Sequence, residues 1–404
     1  MDDKPWLAPN AQAGSYALGM LGLEERRLLY QLTRNSYTGE GAVVDLGAFC
    51  GASSCCLAAG LRDNPRAAGR RIDSYDCFIA GEPYLVDFIR TQFGEAIGIG
   101  QSFAAIFTQA TAEFADLIEV HSGDLLEQTW PSGAPIEILF VDVAKTLALS
   151  GKVLTEFFPH LIPGKSLVIH QDFYHPTAFY LPVVMDFLRD HFSLVEAGRD
   201  WSVVFRLEEG IPQQKLDVAS LYNFSFIQQQ AALRRIMRRV GMPGRDYLRL
   251  SECAAIGTCF GGQRFRTALT YAIQRSTLEP DQVWSDGLAW CSDFDASRIR
   301  TRLYGKPSLM PSPTAVDKAY LVMSAIVSAL TALIAPGIKP RPPENRRLTT
   351  IAPLAGFLLV ASAWAAVVAI LFRSDRLRNG ALLCSSILFC LAIVETGLYY
   401  VSKS

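Results

Sequence analysis

The sequence predicts an α/β domain whose sheet is mostly parallel and ends in an antiparallel hairpin. Short apolar runs alternate with longer helical patterns between residues 40 and 210, as in successive βαβ units. The last two runs, near 192–196 and 201–207, are separated by only a few polar residues, so they are expected to form a hairpin. Three almost uncharged apolar runs near the carboxyl terminus predict helices that cross a membrane.

Composition excludes several other classes of protein. The chain has 404 residues, more than one hydrophobic core usually serves, and 50% of them are hydrophobic. A net charge of −1 provides no concentrated basic surface, which excludes nucleic acid as an expected partner. The 9 cysteines include no CxxC pair, so reduced, buried thiols are expected instead of a zinc site or a disulfide framework. The first residues show no signal-peptide pattern, which favours a cytoplasmic position for the sheet domain.

The order of elements follows from the apolar runs. Residues 1–39 are expected to form a helical segment that precedes the sheet domain of residues 40–210. The first five strands are predicted near residues 42–46, 71–76, 117–121, 136–142 and 165–170. Residues 211–310 are more polar and predict a helical connector, in which FIQQQAALRRIMRRVG forms one amphipathic helix ending at Gly241.

Residues 316–402 are expected to form a transmembrane bundle of two or three helices. The apolar runs are Ala319–Ala335, Ile351–Phe372 and Gly380–Val401. The second and third have the length needed to cross about 30 Å of hydrocarbon, whereas the shorter first run leaves its crossing open. Lysine and arginine are more frequent on the side that carries the sheet domain. This bias predicts a bacterial-type inner (cytoplasmic) membrane with the sheet domain facing the cytoplasm.

The segment from Val43 to Leu57 combines a buried strand, an acidic residue, two glycines and the start of a helix. Gly47 allows the chain to turn tightly, and Gly51 is expected to let the backbone approach a ligand. The helix start offers unpaired N–H groups and the positive end of the helix dipole. Asp45, at the end of the strand, is expected to orient a polar cofactor.

Polar residues also stand where the later strands are predicted to end. Asp76, with Asp73 as the alternative, lies where an acidic residue meets ribose hydroxyls in doubly wound sheets. The polar residues at the ends of the third, fourth and fifth strands are Gly123 and Asp124, Asp142 and Lys145, and His170, Gln171 and Asp172. Because the carboxyl ends of parallel strands share one edge, a ligand site is expected there.

These motifs resemble those of class I S-adenosylmethionine-dependent methyltransferases, in particular sugar and macrolide O-methyltransferases, over about residues 40–210. The spacing D-x-G-x-x-x-G-x-S is similar to their first cofactor motif and departs from the G-x-G-x-x-G of most dehydrogenases. The resemblance implies a Rossmann-like methyltransferase sheet with S-adenosylmethionine as cofactor. The cofactor-binding residues that it implies are Asp45, Gly47, Gly51, Ser53, Asp76, Gly123, Asp124 and Asp142.

The D-x-x-K spacing of Asp142 and Lys145 is similar to that of metal-dependent catechol-type O-methyltransferases. In those enzymes the acid ligates Mg²⁺ and the lysine acts as general base, a role that a lowered pKa would favour. They complete the metal site with an Asp-Asn or Asp-Asp pair, whereas this chain has His170-Gln171-Asp172. Three alternatives stay open: a Mg²⁺ site at Asp142 and Asp172, a metal-free base at His170, and a structural polar cluster. The catalytic candidates are His170, Lys145 and Asp172.

The sequence therefore suggests a membrane-anchored S-adenosylmethionine-dependent O-methyltransferase. Attachment to a membrane points to a sugar, a glycolipid or a polysaccharide intermediate as the methyl acceptor. A catalytically silent methyltransferase-like scaffold in the membrane is the first alternative, because the end of the fifth strand is altered. An NAD(P)-dependent oxidoreductase is the second alternative, and the spacing of Gly47 and Gly51 argues against it.

Overall fold

A computed structural model of the chain describes residues 19–130, 133–199, 201–241 and 244–260, together with a few isolated positions up to residue 321. The chain divides into two compact units, residues 1–312 and 313–404. In the second unit, Asp317 Oδ2 accepts hydrogen bonds from the N–H and the hydroxyl of Thr314, at 2.8 and 2.7 Å. The sheet and its helices belong to the first unit.

The described residues of the first unit contain one sheet of seven strands, in the order β3-β2-β1-β4-β5-β7-β6. The strands are β1 Ala42–Leu46, β2 Ile72–Asp76, β3 Ile118–Ser122, β4 Ile136–Val141, β5 Leu167–His170, β6 Phe192–Arg199 and β7 Ser202–Leu207. Strands β1 to β5 are parallel, and β7 is antiparallel to both β5 and β6. The structure confirms the mostly parallel sheet and its terminal antiparallel hairpin.

Helices cover both faces of the sheet. They are α1 Leu23–Gln31, α2 Ala52–Arg62, α3 Pro83–Phe93, α4 Ala104–Ala110, α5 Leu147–Glu156, α6 Tyr180–Phe187, α7 Gln213–Ser220, α8 Phe226–Arg239 and α9 Gly244–Phe260. One hydrophobic cluster joins Val43 and Phe140 of the sheet to α1 and α2. A second joins Val44 and Val141 to α5, α6, α7, α8 and α9. Helices that follow residue 210 therefore share the core of the sheet.

Burial explains why the strands differ in composition. Strand β4 is buried along its whole length, as expected for a central parallel strand with helices on both faces, and five of its six residues are apolar. Strand β3 lies at the edge of the sheet, and its side chains are largely exposed. The order of strands reverses between β1 and β4 at the centre of the sheet, which is where ligands bind in open α/β sheets.

Glu137 is the polar exception in β4. Its buried carboxylate accepts hydrogen bonds from the N–H groups of Thr38, Glu40 and Gly41, at 2.5, 2.8 and 3.2 Å. The Thr38 hydroxyl donates a further bond of 2.8 Å. These bonds hold the loop that leads into β1 and satisfy backbone groups that would otherwise be buried without partners.

Helix α8 confirms the amphipathic helix predicted after the sheet. Its N-terminus has a capping box in which Ser225 accepts from the N–H of Gln228 and the Gln228 side chain accepts from the N–H of Ser225. The helix ends at Arg239, two residues before Gly241. Arg235 donates two hydrogen bonds, of 3.0 and 2.6 Å, to Oδ2 of the buried Asp186, which ties α8 to α6.

Within the described ranges, no helix is both long and apolar enough to cross a membrane. The three expected spans, at residues 319–335, 351–372 and 380–401, lie outside the described residues except for Leu321.

Candidate functional site

The carboxyl ends of β1, β2, β4 and β5 meet at one edge of the sheet. Burial separates the sequence-predicted residues at this edge into two groups. The partly exposed ones are Gly47, Asp76, Gly123, Asp142, Lys145, Gln171 and Asp172. The buried ones are Asp45, Gly51, Ser53 and His170. The residues of the first group are accessible at this edge, and those of the second are covered by packed side chains.

Gly47 sits at the centre of this edge, in the turn that follows β1. Its φ of +98° lies in the left-handed region that favours glycine. A Cβ here would lie 2.9 Å from the carbonyl carbon of Asp142, which is closer than real contacts allow. The N–H groups of Gly47 and Ala48 both donate to the carbonyl of Tyr75, at 2.9 and 3.1 Å. The turn is therefore pressed against the ends of both neighbouring strands, as its glycine predicted.

Asp45 and Ser53, which the sequence predicts as cofactor-binding residues, lie buried beneath this turn. Asp45 is 0% exposed, and its Oδ2 accepts from the hydroxyls of Ser53 and Ser54, at 2.9 and 2.6 Å. Burial raises the pKa of Asp45 to about 7 against the opposing effect of these hydrogen bonds. The side chain of Asp45 points to the face of the sheet that α2 covers. Its hydrogen bonds with Ser53 and Ser54 therefore link β1 to α2.

Gly51, another predicted cofactor-binding residue, is also buried. It is the N-cap of α2 with a φ of +95°, so the residue type follows from the turn. A Cβ at this position would lie 2.6 Å from Cγ2 of Thr111. The glycine therefore allows the α2 N-terminus to pack against the end of α4, rather than leaving room for a ligand.

Asp76 joins three turns at the partly exposed edge. Its carboxylate accepts hydrogen bonds from the N–H groups of Phe49 and Phe78, at 2.9 and 2.7 Å. Its carbonyl accepts from the N–H of Gly123 at 2.9 Å. Burial raises the pKa of Asp76, and the two N–H donors oppose that shift. Asp76, and not Asp73, is thus the carboxylate at the end of β2.

Phe49 and Phe78 are residues of this edge that the sequence did not reveal. Both have positive φ angles, 45° and 52°, although neither is glycine. Such strained backbone is concentrated at functional sites, where the surrounding structure enforces it. Nothing in the residue type indicates this conformation, so no sequence signal could have identified the pair.

Asp124, which the sequence predicts as a cofactor-binding residue, caps a local turn after β3. Its exposed carboxylate accepts from the N–H of Leu126 at 3.0 Å and begins a short helical turn. Gly123 has a φ of 139°, and a Cβ on it would lie 3.0 Å from Nε2 of Gln128. Of these two residues, Gly123 therefore contacts the edge, through the hydrogen bond from its N–H to the carbonyl of Asp76.

Lys145 lies between two carboxylates that come from different strands. Its Nζ is 2.5 Å from Asp142 Oδ1, 2.5 Å from Asp172 Oδ2 and 3.3 Å from Gln171 Oε1. Burial alone would lower the pKa of the amine, but the two carboxylates outweigh burial and raise the pKa well above its ordinary value. The two carboxylates therefore favour the charged form of Lys145, which opposes the general-base role predicted from the sequence.

The two carboxylates and the ammonium form one charged group. With all three ionised, the group carries a net charge of −1, so a further proton is bound more readily than by an exposed carboxyl. Burial and the charge of Asp172 raise the pKa of Asp142 to about 6, although Lys145 opposes the shift. Asp172 has a φ of 61°, a third strained position at this edge.

The residues at Asp142 and Asp172 do not fit a Mg²⁺ ion. The ion needs near-octahedral oxygen ligands at about 2.0–2.1 Å and several retained waters. Here the Lys145 ammonium lies between the carboxylates that the sequence assigned to the metal. Among the described residues, the one group of at least three close potential ligand side chains is Asp73, Glu119 and His121 on β2 and β3. His121 pairs with Asp73 at 2.9 Å and stacks on Tyr75, contacts that need no ion.

His170, which the sequence predicts as a possible general base, has a side chain that is buried away from the edge. It is 5% exposed, and its ring lies 6.4 Å, centroid to centroid, from each of Phe158, Phe173 and Phe205. Neither ring nitrogen has a hydrogen-bond partner within the described ranges. Burial lowers the pKa of His170 to about 4. Among the described residues, the imidazole is therefore enclosed by aromatic rings.

Comparison with protein families identifies the same part of the chain. Residues 44–171 match the family model described as a methyltransferase domain. This range begins in β1 and ends directly after β5, one residue before Asp172. The match confirms the methyltransferase resemblance for the parallel part of the sheet. No curated protein matches the chain.

Several solved structures are similar to about half of the chain. The O-methyltransferase NovP is 16% identical over 50% of this chain and 86% of its own, with a TM-score of 0.38. A calicheamicin methyltransferase is 20% identical over 45% of this chain and 77% of its own, with a TM-score of 0.34. An O-methyltransferase from Bacillus cereus in complex with SAH is 15% identical over 48% of this chain and 84% of its own, with a TM-score of 0.29.

Proposed function

We propose that the sheet domain binds S-adenosylmethionine at the edge formed by β1, β2 and β4 and directs its methyl group to an oxygen atom of an acceptor. The observation that carries this proposal is the partly exposed Asp76 carboxylate beside the turn at Gly47. It ends β2, next to the point where the strand order reverses, within the stretch that matches a methyltransferase domain.

The residues at this edge fit the polar groups of the cofactor. A carboxylate has about four acceptor positions, and Asp76 uses two for N–H groups, which leaves capacity for ribose hydroxyls. The net negative charge of Asp142, Lys145 and Asp172 favours a positively charged sulfonium nearby. The turn at Gly47 lies between Asp76 and this charged group. Because glycine has no side chain, the turn exposes only backbone there.

When bound, S-adenosylmethionine supplies an electrophilic methyl group on its sulfonium. The chain contributes orientation, because the rigid ends of four strands hold the polar side chains. Asp142 has a pKa of about 6, near neutral pH, which suits a group that accepts the proton of an acceptor hydroxyl. Lys145 stays charged and fixes the position of that carboxylate.

A membrane-associated acceptor completes the proposal. The apolar runs at 351–372 and 380–401 support attachment to a cytoplasmic membrane, with the sheet domain on its cytoplasmic side. An acceptor held at the same surface, such as a glycolipid or a polysaccharide intermediate, would meet the edge at high local concentration. Free sugars belong to the same class of oxygen acceptor.

Calorimetric titration of the full chain with S-adenosylmethionine tests cofactor binding directly. The matched variants are Asp76→Asn and Asp124→Asn, which make the same chemical change at two strand ends. Losing hydrogen bonds from ribose hydroxyls to a charged acceptor, about 1.5–3 kcal/mol each, predicts an affinity loss of roughly 30-fold or more for Asp76→Asn. Asp124→Asn should bind as the unmodified chain does.

The melting temperature of each variant is measured alongside, since Asp76 also holds two turns. Absence of binding at millimolar S-adenosylmethionine would contradict the proposal, as would equal losses in both variants. Tighter binding of NAD(P) than of S-adenosylmethionine would favour an oxidoreductase instead.

A further inference from the structure

The Lys145 ammonium has the surroundings that a bound cation would have. An ammonium group carries three donors and no acceptor. Three oxygen atoms lie within 3.3 Å of Nζ, one each from Asp142, Gln171 and Asp172. Two of these residues follow β5 and the third follows β4, so a single positive charge joins the ends of two neighbouring strands.

The local backbone directs the lysine back towards its own strand. Asp142 is the first residue after β4, and its N–H donates to the carbonyl of Leu46 at 2.8 Å. The N–H of Lys145 then donates to the carbonyl of Val143 at 2.7 Å, which closes a tight turn. The side chain is thereby held beside the carboxylate three residues earlier, rather than extended towards solvent.

Charge and space both oppose a divalent ion in the same place. The ammonium already lies within hydrogen-bond distance of both carboxylates, so an ion bound between them would have to displace it. An ion beside it would place like charges a few ångströms apart in a partly buried site.

We propose that Lys145 takes the place of a divalent cation in this chain, so that its ammonium balances one of the two negative charges of Asp142 and Asp172 and the edge works without a metal. Lys145 acts here as a positioning residue: it holds the two carboxylates in the arrangement that a metal ion would otherwise impose. The consequence for catalysis, turnover that is insensitive to EDTA, rests on the proposed function. The consequence for cation binding does not, because it is measurable without any turnover.

The test uses Mn²⁺ as the probe and the electron paramagnetic resonance signal of free Mn²⁺ as the readout. Three proteins are titrated: the full chain, Lys145→Met and Lys145→Gln. Each is compared with the same protein that also carries Asp172→Asn, so that Mn²⁺ bound at other sites cancels. The unmodified chain should show no binding that depends on Asp172. Both lysine variants should gain one site that does, with affinity roughly tenfold or more above the unmodified chain, because a neighbouring positive charge is removed.

Binding of Mn²⁺ to the unmodified chain that is lost with Asp172→Asn would overturn the inference, and this arm needs no lysine variant. A folded lysine variant, judged by circular dichroism, that gains no site would also overturn it. Titration with S-adenosylhomocysteine in EDTA separates the two proposals. No cofactor binding would count against the proposed function alone, whereas Mn²⁺ binding at Asp172 would count against this inference alone.

Discussion

Replacing Asp45 with asparagine tests the buried carboxylate beneath the glycine turn through the pH dependence of stability. Burial raises the pKa of Asp45 from 3.8 to about 7. A carboxyl group with a raised folded pKa contributes stability that is fully present below the unfolded pKa and is lost as pH rises through the folded pKa. A shift of about 3 units at roughly 1.4 kcal/mol each gives about 4 kcal/mol lost across this window.

Urea unfolding of the full chain and of Asp45→Asn, from pH 4 to pH 8, measures this quantity. Other titrating groups contribute almost equally to both proteins, so the difference between the two unfolding free energies isolates Asp45. The variant should gain about 4 kcal/mol relative to the unmodified chain between pH 4 and pH 7. Ser54→Ala removes a donor 2.6 Å from the carboxylate and should widen the pH window upward. A difference that does not change with pH would refute the reasoning.

Three further predictions concern other parts of the structure; all three are measured by urea unfolding, the first two against a control variant and the third also by methyl transfer. Glu137→Ala leaves several buried donors without an acceptor and should lower the unfolding free energy by about 3 kcal/mol, whereas the exposed Glu40→Ala should change it little. Gly47→Ala adds a clash to its backbone strain and should cost roughly 3 kcal/mol, against about 1 kcal/mol for Gly69→Ala, which has open space. His170→Leu removes two unpaired buried nitrogens and should lower neither the unfolding free energy nor the rate of methyl transfer. Loss of turnover would instead support the general-base role predicted for His170.

The sheet could be predicted from the sequence because its strands carry a local signal. Apolar runs fall within a few residues of the observed strands, since a strand buried on both faces needs continuous apolar side chains. The short polar link before β7 indicated the hairpin for a geometric reason: parallel strands cannot be joined so closely. Helix α8 was predictable because its amphipathic period and capping residues are local as well.

The packing of the later helices was not readable in the same way. Residues 211–310 have the pattern of a connector, yet Leu216, Leu233 and Leu248 lie in the core that covers one face of the sheet. Amphipathic periodicity shows that a helix has an apolar face, but it does not show which surface that face covers.

The sequence by itself determined where the edge lies and which polar residues come near it. The reason is that the carboxyl ends of parallel strands lie together at one edge of the sheet. Only the tertiary structure decided which of those side chains reach the edge. Strand alternation turns Asp45 and His170 towards opposite faces, into α2 and into a group of aromatic rings. The pairing of β4 with β5 brings Asp172 to a lysine 27 residues earlier, and the resulting charge balance keeps Lys145 protonated. Burial and pairing set the pKa of each group, and both depend on residues far apart in the chain.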